Sequence, residues 1–240
     1  MYSIGTLSTA PAAAPEDPKL PAPLWHTGLV LLYVLVPFSW WPGSRILARA
    51  IPYNRGALDI FGICSYAVVV GFVCFGLSRH HTPLEDLLGK TWTRWRDALR
   101  DVAIAAGFWL VVYYADKLIY YLAPWFRPAP RLQPHTKPEL LISILLAIVA
   151  GVAEELIFRG YLQRQFTILC DNLGAGLLVQ AALFACYHGY NQTPANFGQH
   201  FVFALLAGLL AHWRRSLLPG MIGHVWFDIY ISAQRFLRPA

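Results

Sequence analysis

Three short spacings in the second half of this chain bring together groups that can move protons. Glu154 and Glu155 are adjacent carboxylates, and Arg159 follows the second by four residues. Phe184 precedes His188 by four, and His224 precedes Asp228 by four. On a helix, residues four apart share a face, so Glu155 can pair with Arg159 and His224 with Asp228. Glu154 points about 100° away from Glu155, which leaves the two acids free to do different jobs. The set suits hydrolysis without a Ser or Cys nucleophile. A carboxylate takes a proton from water, imidazoles donate to a developing oxyanion or steer the water, and Asp228 orients His224 or the water. The spacing leaves two other arrangements open. Two His, a Glu and an Asp can hold zinc with one position left for water, although no HExxH occurs. The same residues can also form a relay in a proton-coupled transporter, or sit in a non-catalytic membrane scaffold.

Each signature falls on an expected membrane span. Helices are expected at roughly 24–41, 57–77, 101–122, 139–166, 173–188, 197–213 and 218–236. This is an all-α, polytopic transmembrane bundle of about seven or eight helices, with a catalytic cavity in its C-terminal four-helix core. Residues 1–24, rich in Ala and Pro, read as a disordered tail. Residues 25–138 read as N-terminal membrane helices and loops, and 139–236 as the catalytic core. The segment 78–100 carries Arg79, Lys90, Arg94, Arg96 and Arg100 interleaved with Trp92 and Trp95. It reads as a loop or short helix in the headgroup layer. A charged group at the centre of a membrane costs about 2.5–3.5 kcal/mol on insertion scales, so acids and histidines on separate spans are cheapest in one shared, hydrated cavity.

Composition supports that frame. Of the 240 residues 57% are hydrophobic and 13% charged, against about 25% charged in a soluble domain. Mean hydropathy is +0.45. The net charge of +6 reflects Lys and Arg kept in loops, and no nucleic-acid signature accompanies it. Cys64, Cys74, Cys170 and Cys186 form no metal spacing and read as small core residues. Gln180 and His200 lie near the signatures, with packing as their expected role. Asn191, Gln192 and Asn196 are expected to turn the chain, and Arg214-Arg215 to anchor a loop.

The stretches EELIFRG, FACYH and HVWFD resemble the EExxxR, FxxxH and HxxxN/D motifs of the CPBP group, the type II CAAX prenyl endopeptidases and their bacterial Abi-type relatives. The resemblance covers about residues 139–232. It implies an intramembrane glutamic endopeptidase acting on a membrane protein or lipid-modified peptide within a lipid bilayer, multi-pass, in a bacterial inner membrane. It also implies that Glu154 is the base for water, supported by Glu155 and Arg159, that His188 assists, and that His224 and Asp228 stabilise the oxyanion, with no cofactor. The last motif position is usually Asn in the CAAX proteases. An ionised Asp228 cannot donate to an oxyanion, so that departure touches the prenylated substrate more than proteolysis itself.

Overall fold

The computed structural model describes residues 19–35, 55–123, 134–189 and 194–237. Among these the chain is entirely helical apart from one isolated bridge, Gly89 with Ser216. The helices are α1 (Leu24–Leu35), α2 (Arg55–Arg79), α3 (Leu84–Leu88), α4 (Trp95–Leu122), α5 (Lys137–Leu169), α6 (Leu173–Gly189), α7 (Pro194–Arg214) and α8 (Leu218–Leu237). Within α5 the backbone ladder changes at Glu155–Gln163 from the usual pattern to a π-helix, in which each N–H reaches five residues back.

Local chemistry sets the boundaries. Thr136 Oγ1 accepts from the Glu139 amide at 3.3 Å, and Glu139 Oε2 accepts from the Thr136 amide at 3.1 Å. This capping box starts α5 at Lys137, two residues before the apolar run suggests. Asp171, at φ 45°, ends α5, and Asn172 Oδ1 caps α6 by accepting from the Ala175 amide at 3.0 Å. Helix α4 starts at Trp95 instead of Asp101 because Asp97 Oδ2 accepts from the Arg94 amide at 3.2 Å. The charged turn 95–100 is therefore part of a helix and not of a loop.

Among the described residues four helices are long and apolar enough to cross a membrane: Arg55–Arg79, Trp95–Leu122, Lys137–Leu169 and Pro194–Arg214. The eight described helices fit the seven or eight expected, while fewer than seven of them qualify as spans by length and hydropathy. Leu24–Leu35 and Leu173–His188 are shorter apolar helices, and the end of the first expected span lies outside the described residues. Helix α8 has 20 residues but is diluted by His224, Asp228, Gln234 and Arg235. With 17 residues, α6 is about 25 Å long against a hydrocarbon layer of about 30 Å. The chain is an integral membrane protein built around α5, which packs on α2 at one side and α8 at the other, while α6 and α7 pair closely.

Small residues allow the close crossings. A Cβ on Gly151 would stand 2.7 Å from Val225 Cγ2 and 3.0 Å from the Val225 amide nitrogen, so α5 and α8 meet at backbone distance there. Polar contacts join the other helices. His26 on α1 is fully buried, donates from Nε2 to the Phe72 carbonyl at 2.8 Å, and meets the Tyr161 hydroxyl at Nδ1 at 2.9 Å. On the α2–α5 seam Ser143 donates to Asp59, which also pairs with Arg55 at 2.8 Å.

Four expectations change. Residues 20–22, assigned to a disordered tail, are seated: the Gln165 amide bonds the Ala22 backbone both ways, at 3.0 and 3.4 Å, and His80 meets the Leu20 carbonyl at 3.2 Å. Cys64 and Cys170 are exposed and Cys74 and Cys186 half-exposed, because an apolar stretch in a membrane helix covers the lipid-facing side as well as the core. Asn196 belongs to the first turn of α7 and is buried, whereas Asn191 and Gln192 lie outside the described residues. Arg214 does more than anchor a loop, since it pairs with buried Asp101 at 2.6 Å. Asp101 also accepts from Trp92 Nε1 at 3.0 Å. The segment 88–90 is bonded to the α7–α8 turn by Lys90 N to the Arg215 carbonyl at 2.8 Å and Leu217 N to the Leu88 carbonyl at 3.0 Å.

Candidate active site

Helix α5 changes its hydrogen-bonding pattern where the two acids stand. Glu154 is the last α-helical residue and Glu155 the first of the π-helical stretch, so the carboxylates leave the helix from backbones of different pitch. Both are buried, at 2% and 0% exposure, near the midpoint of a helix of membrane-crossing length.

The Glu155 carboxylate faces inward to two partners. Arg159 Nη1 is 3.0 Å from Glu155 Oε1. None of the Arg159 nitrogens makes a hydrogen bond of good geometry with a described residue, so the pair is a Coulomb contact at close range. Aromatic faces hold the guanidinium: Cζ stands 4.5 Å from the Phe184 ring centroid and 5.4 Å from that of Phe203. The second partner is His224, whose Nδ1 donates to Glu155 Oε1 at 3.0 Å. That bond turns the other imidazole nitrogen, Nε2, toward Glu154.

Glu154 sits between two imidazoles. Its Oε1 is 3.5 Å from His188 Nε2, and its Oε2 is 3.6 Å from His224 Nε2. His188 donates from Nδ1 to the Phe184 carbonyl at 3.0 Å, which aims its Nε2 at the carboxylate. The FxxxH spacing thus has a geometric role in which the backbone of Phe184 orients the ring while its side chain packs under Arg159. Asp228 Oδ2 is 3.7 Å from His224 Nε2, close enough to bias the ring but beyond hydrogen-bonding distance. His188 and Asp228 keep side-chain exposures of 24% and 35%, while Glu154, Glu155 and Arg159 are at 3% or less. His188 and Asp228 are therefore the more open members of the cluster.

All six residues singled out by spacing stand in this one cluster, contributed by α5, α6 and α8. Two further contributors have no spacing signal. His200 on α7 stacks on His188, with centroids 4.5 Å apart and planes 15° apart, and its Nδ1 donates to the Asn196 carbonyl at 2.6 Å. Packing describes it, but the ring it packs against is in the cluster. Tyr66 on α2 donates its hydroxyl to Glu154 Oε1. Gln180 is fully buried beside α7 and donates to the Ala204 carbonyl at 2.9 Å, so it ties helices together away from the carboxylates. Among the described residues no group of three or more His, Cys, Asp or Glu side chains is arranged to hold a metal ion.

Compared with family models, residues 136–230 match the one described as type II CAAX prenyl endopeptidase Rce1-like. No curated protein matches the chain, and no solved structure does.

Proposed function

We propose that this chain, whose residues 136–230 match the model of the Rce1-like type II CAAX prenyl endopeptidases, is an intramembrane endopeptidase in which Glu154 activates water. The observation that carries the reading is the position of the Glu154 carboxylate, 3.5 Å from one imidazole and 3.6 Å from another. Water bound beside Glu154 gives its proton to the carboxylate, and its oxygen attacks the scissile carbonyl carbon. The carbonyl π pair moves to oxygen, and the resulting oxyanion lies against the Nε2–H of a protonated His224, whose Nδ1–H stays on Glu155. Collapse breaks the C–N bond, and Glu154 returns its proton to the leaving amine.

Each neighbour has a part. Glu155 holds His224 through Nδ1 and so fixes which face of that ring is offered. Arg159 balances the Glu155 charge, which leaves Glu154 as the acid free to cycle its proton. His188 steers the water from the open side. Asp228 acts through His224 and leaves donation to the imidazole. The substrate is a membrane-associated or lipid-modified polypeptide cut near its C-terminus, and the membrane is a bacterial inner membrane. No cofactor enters.

The test is Glu154→Gln, an isosteric change that removes the base. Membrane-fraction proteomics of the two strains should reveal a precursor that accumulates only in the variant. Cleavage of that precursor by purified protein should fall by roughly 10²–10⁴-fold, the usual contribution of a general base. Cleavage at the wild-type rate would overturn the assignment.

A further inference from the structure

The mechanism above uses only residues 154–228, yet one contact to its base comes from the other half of the chain. Tyr66 lies on α2, 88 positions before Glu154, and its hydroxyl donates to Glu154 Oε1. Its ring is half-buried while the hydroxyl points inward. The hydroxyl is also within bonding reach of Tyr187 on α6. Tyr187 in turn lies 3.4 Å from the hydroxyl of Tyr33 on α1, which meets Ser65 Oγ at 2.9 Å. Four hydroxyls therefore run from α1 across α2 and α6 to the carboxylate.

The consequence follows from the softness of a carboxylate. The terminal torsion of a Glu side chain is broad and roughly two-fold, so packing alone does not fix which oxygen faces which neighbour. Here the two oxygens are distinguished. Oε1 accepts from Tyr66 and faces His188, whereas Oε2 accepts no hydrogen bond from a described residue and faces His224.

We propose that Tyr66 is a positioning residue for the proton-accepting step: it anchors Oε1 of Glu154, so that Oε2 is the oxygen that takes the proton from water. Tyr187 holds Tyr66 in that role by limiting rotation of its hydroxyl. The catalytic unit thus includes α2 and is wider than the segment 136–230. No bond to Tyr66 breaks in the reaction, since its proton stays on the phenol throughout.

The proposal rests on Glu154 being the base, and the experiment separates the two ideas. Full-length protein and its Tyr66→Phe variant are purified in micelles, and the Glu154 carboxylate stretch is read by infrared difference spectroscopy, identified as the band missing from Glu154→Gln. Loss of the phenol hydrogen bond should shift that band, and an unmoved band overturns the proposal whether or not a substrate is in hand. The kinetic arm uses an internally quenched farnesylated peptide ending in Cys-aliphatic-aliphatic-X. A lost hydrogen bond to a charged group predicts kcat lower by roughly ten- to a hundredfold with KM within about twofold. A fall in cleavage with no band shift marks Tyr66 as structural only and also overturns the proposal. Failure of the wild type to cut the peptide counts against a prenylated substrate, while the infrared result still decides the role of Tyr66. Should Tyr66→Phe fold poorly by thermal unfolding, Tyr187→Phe frees the Tyr66 hydroxyl without altering the α2–α5 contact, and the same band reports the outcome.

Discussion

Replacing Arg159 with Met measures what holds the buried acid beside the base. The substitution keeps most of the side-chain volume but removes the cation 3.0 Å from Glu155. Glu155 is 0% exposed, so its charge is left in a site with one remaining donor, His224 Nδ1. Orphaning one member of a buried ion pair costs about 3–5 kcal/mol. Adding Glu155→Gln should recover much of this, because the Gln carbonyl oxygen still accepts from His224 and no uncompensated charge remains. The double variant is therefore expected to be more stable than Arg159→Met alone, with a coupling of about 2 kcal/mol or more. Arg159→Lys isolates the aromatic contribution. It keeps the charge but loses the planar stack on Phe184 and Phe203, a difference of about 1–2 kcal/mol. Reversible unfolding in mixed micelles, followed by Trp fluorescence, gives all three values. Costs that simply add, or an Arg159→Met penalty below about 1 kcal/mol, would refute the view that Glu155 is charged and depends on Arg159.

Two further outcomes follow from geometry already described. In Gly151→Ala the new methyl would stand 2.7 Å from Val225 Cγ2 and 3.0 Å from its amide nitrogen. Since backbone cannot yield as a side-chain tip can, α5 and α8 should be pushed apart at a cost of about 1–3 kcal/mol, read as a lower unfolding midpoint. Chelation with EDTA or phenanthroline should leave cleavage unchanged in the Glu-activated reading, checked beside elemental analysis of the purified protein. Activity lost on chelation and restored by zinc would favour a metal-bound water instead.

That the six candidate residues would lie together was largely legible because their signals are local. Glu155 with Arg159 and His224 with Asp228 are i,i+4 pairs on apolar segments, and an ionisable group in such a segment needs a polar partner. The all-helical class was legible for the same reason. Tyr66 was not, being one of 12 tyrosines, and only tertiary packing gives it a carboxylate to bond. The mid-helix change of ladder at Glu155 has no marker in residue type either, because Glu, Leu, Ile and Phe are compatible with either pattern. The start of α4 was missed because the charges of 94–100 suggest a loop or a separate short helix until Asp97 is recognised as a cap. The exposed cysteines were misread because hydrophobicity marks burial only where the surroundings are water.

The π-helical stretch gives α5 an unusual dependence on length. Its two ends behave like rods joined by a coupling of set phase, with Glu154 at the end of one and Gln165 just inside the other. Deleting one residue between them without a change of pitch would turn everything downstream by roughly the 100° that one helical residue occupies. Gln163 would swing away from the Gly208 carbonyl and Gln165 from Ala22, which they now meet at 3.2 and 3.0 Å. The number of residues in this stretch is thus as tightly constrained by packing as the identity of the acids is by chemistry, and related chains should tolerate substitution here far more readily than insertion or loss.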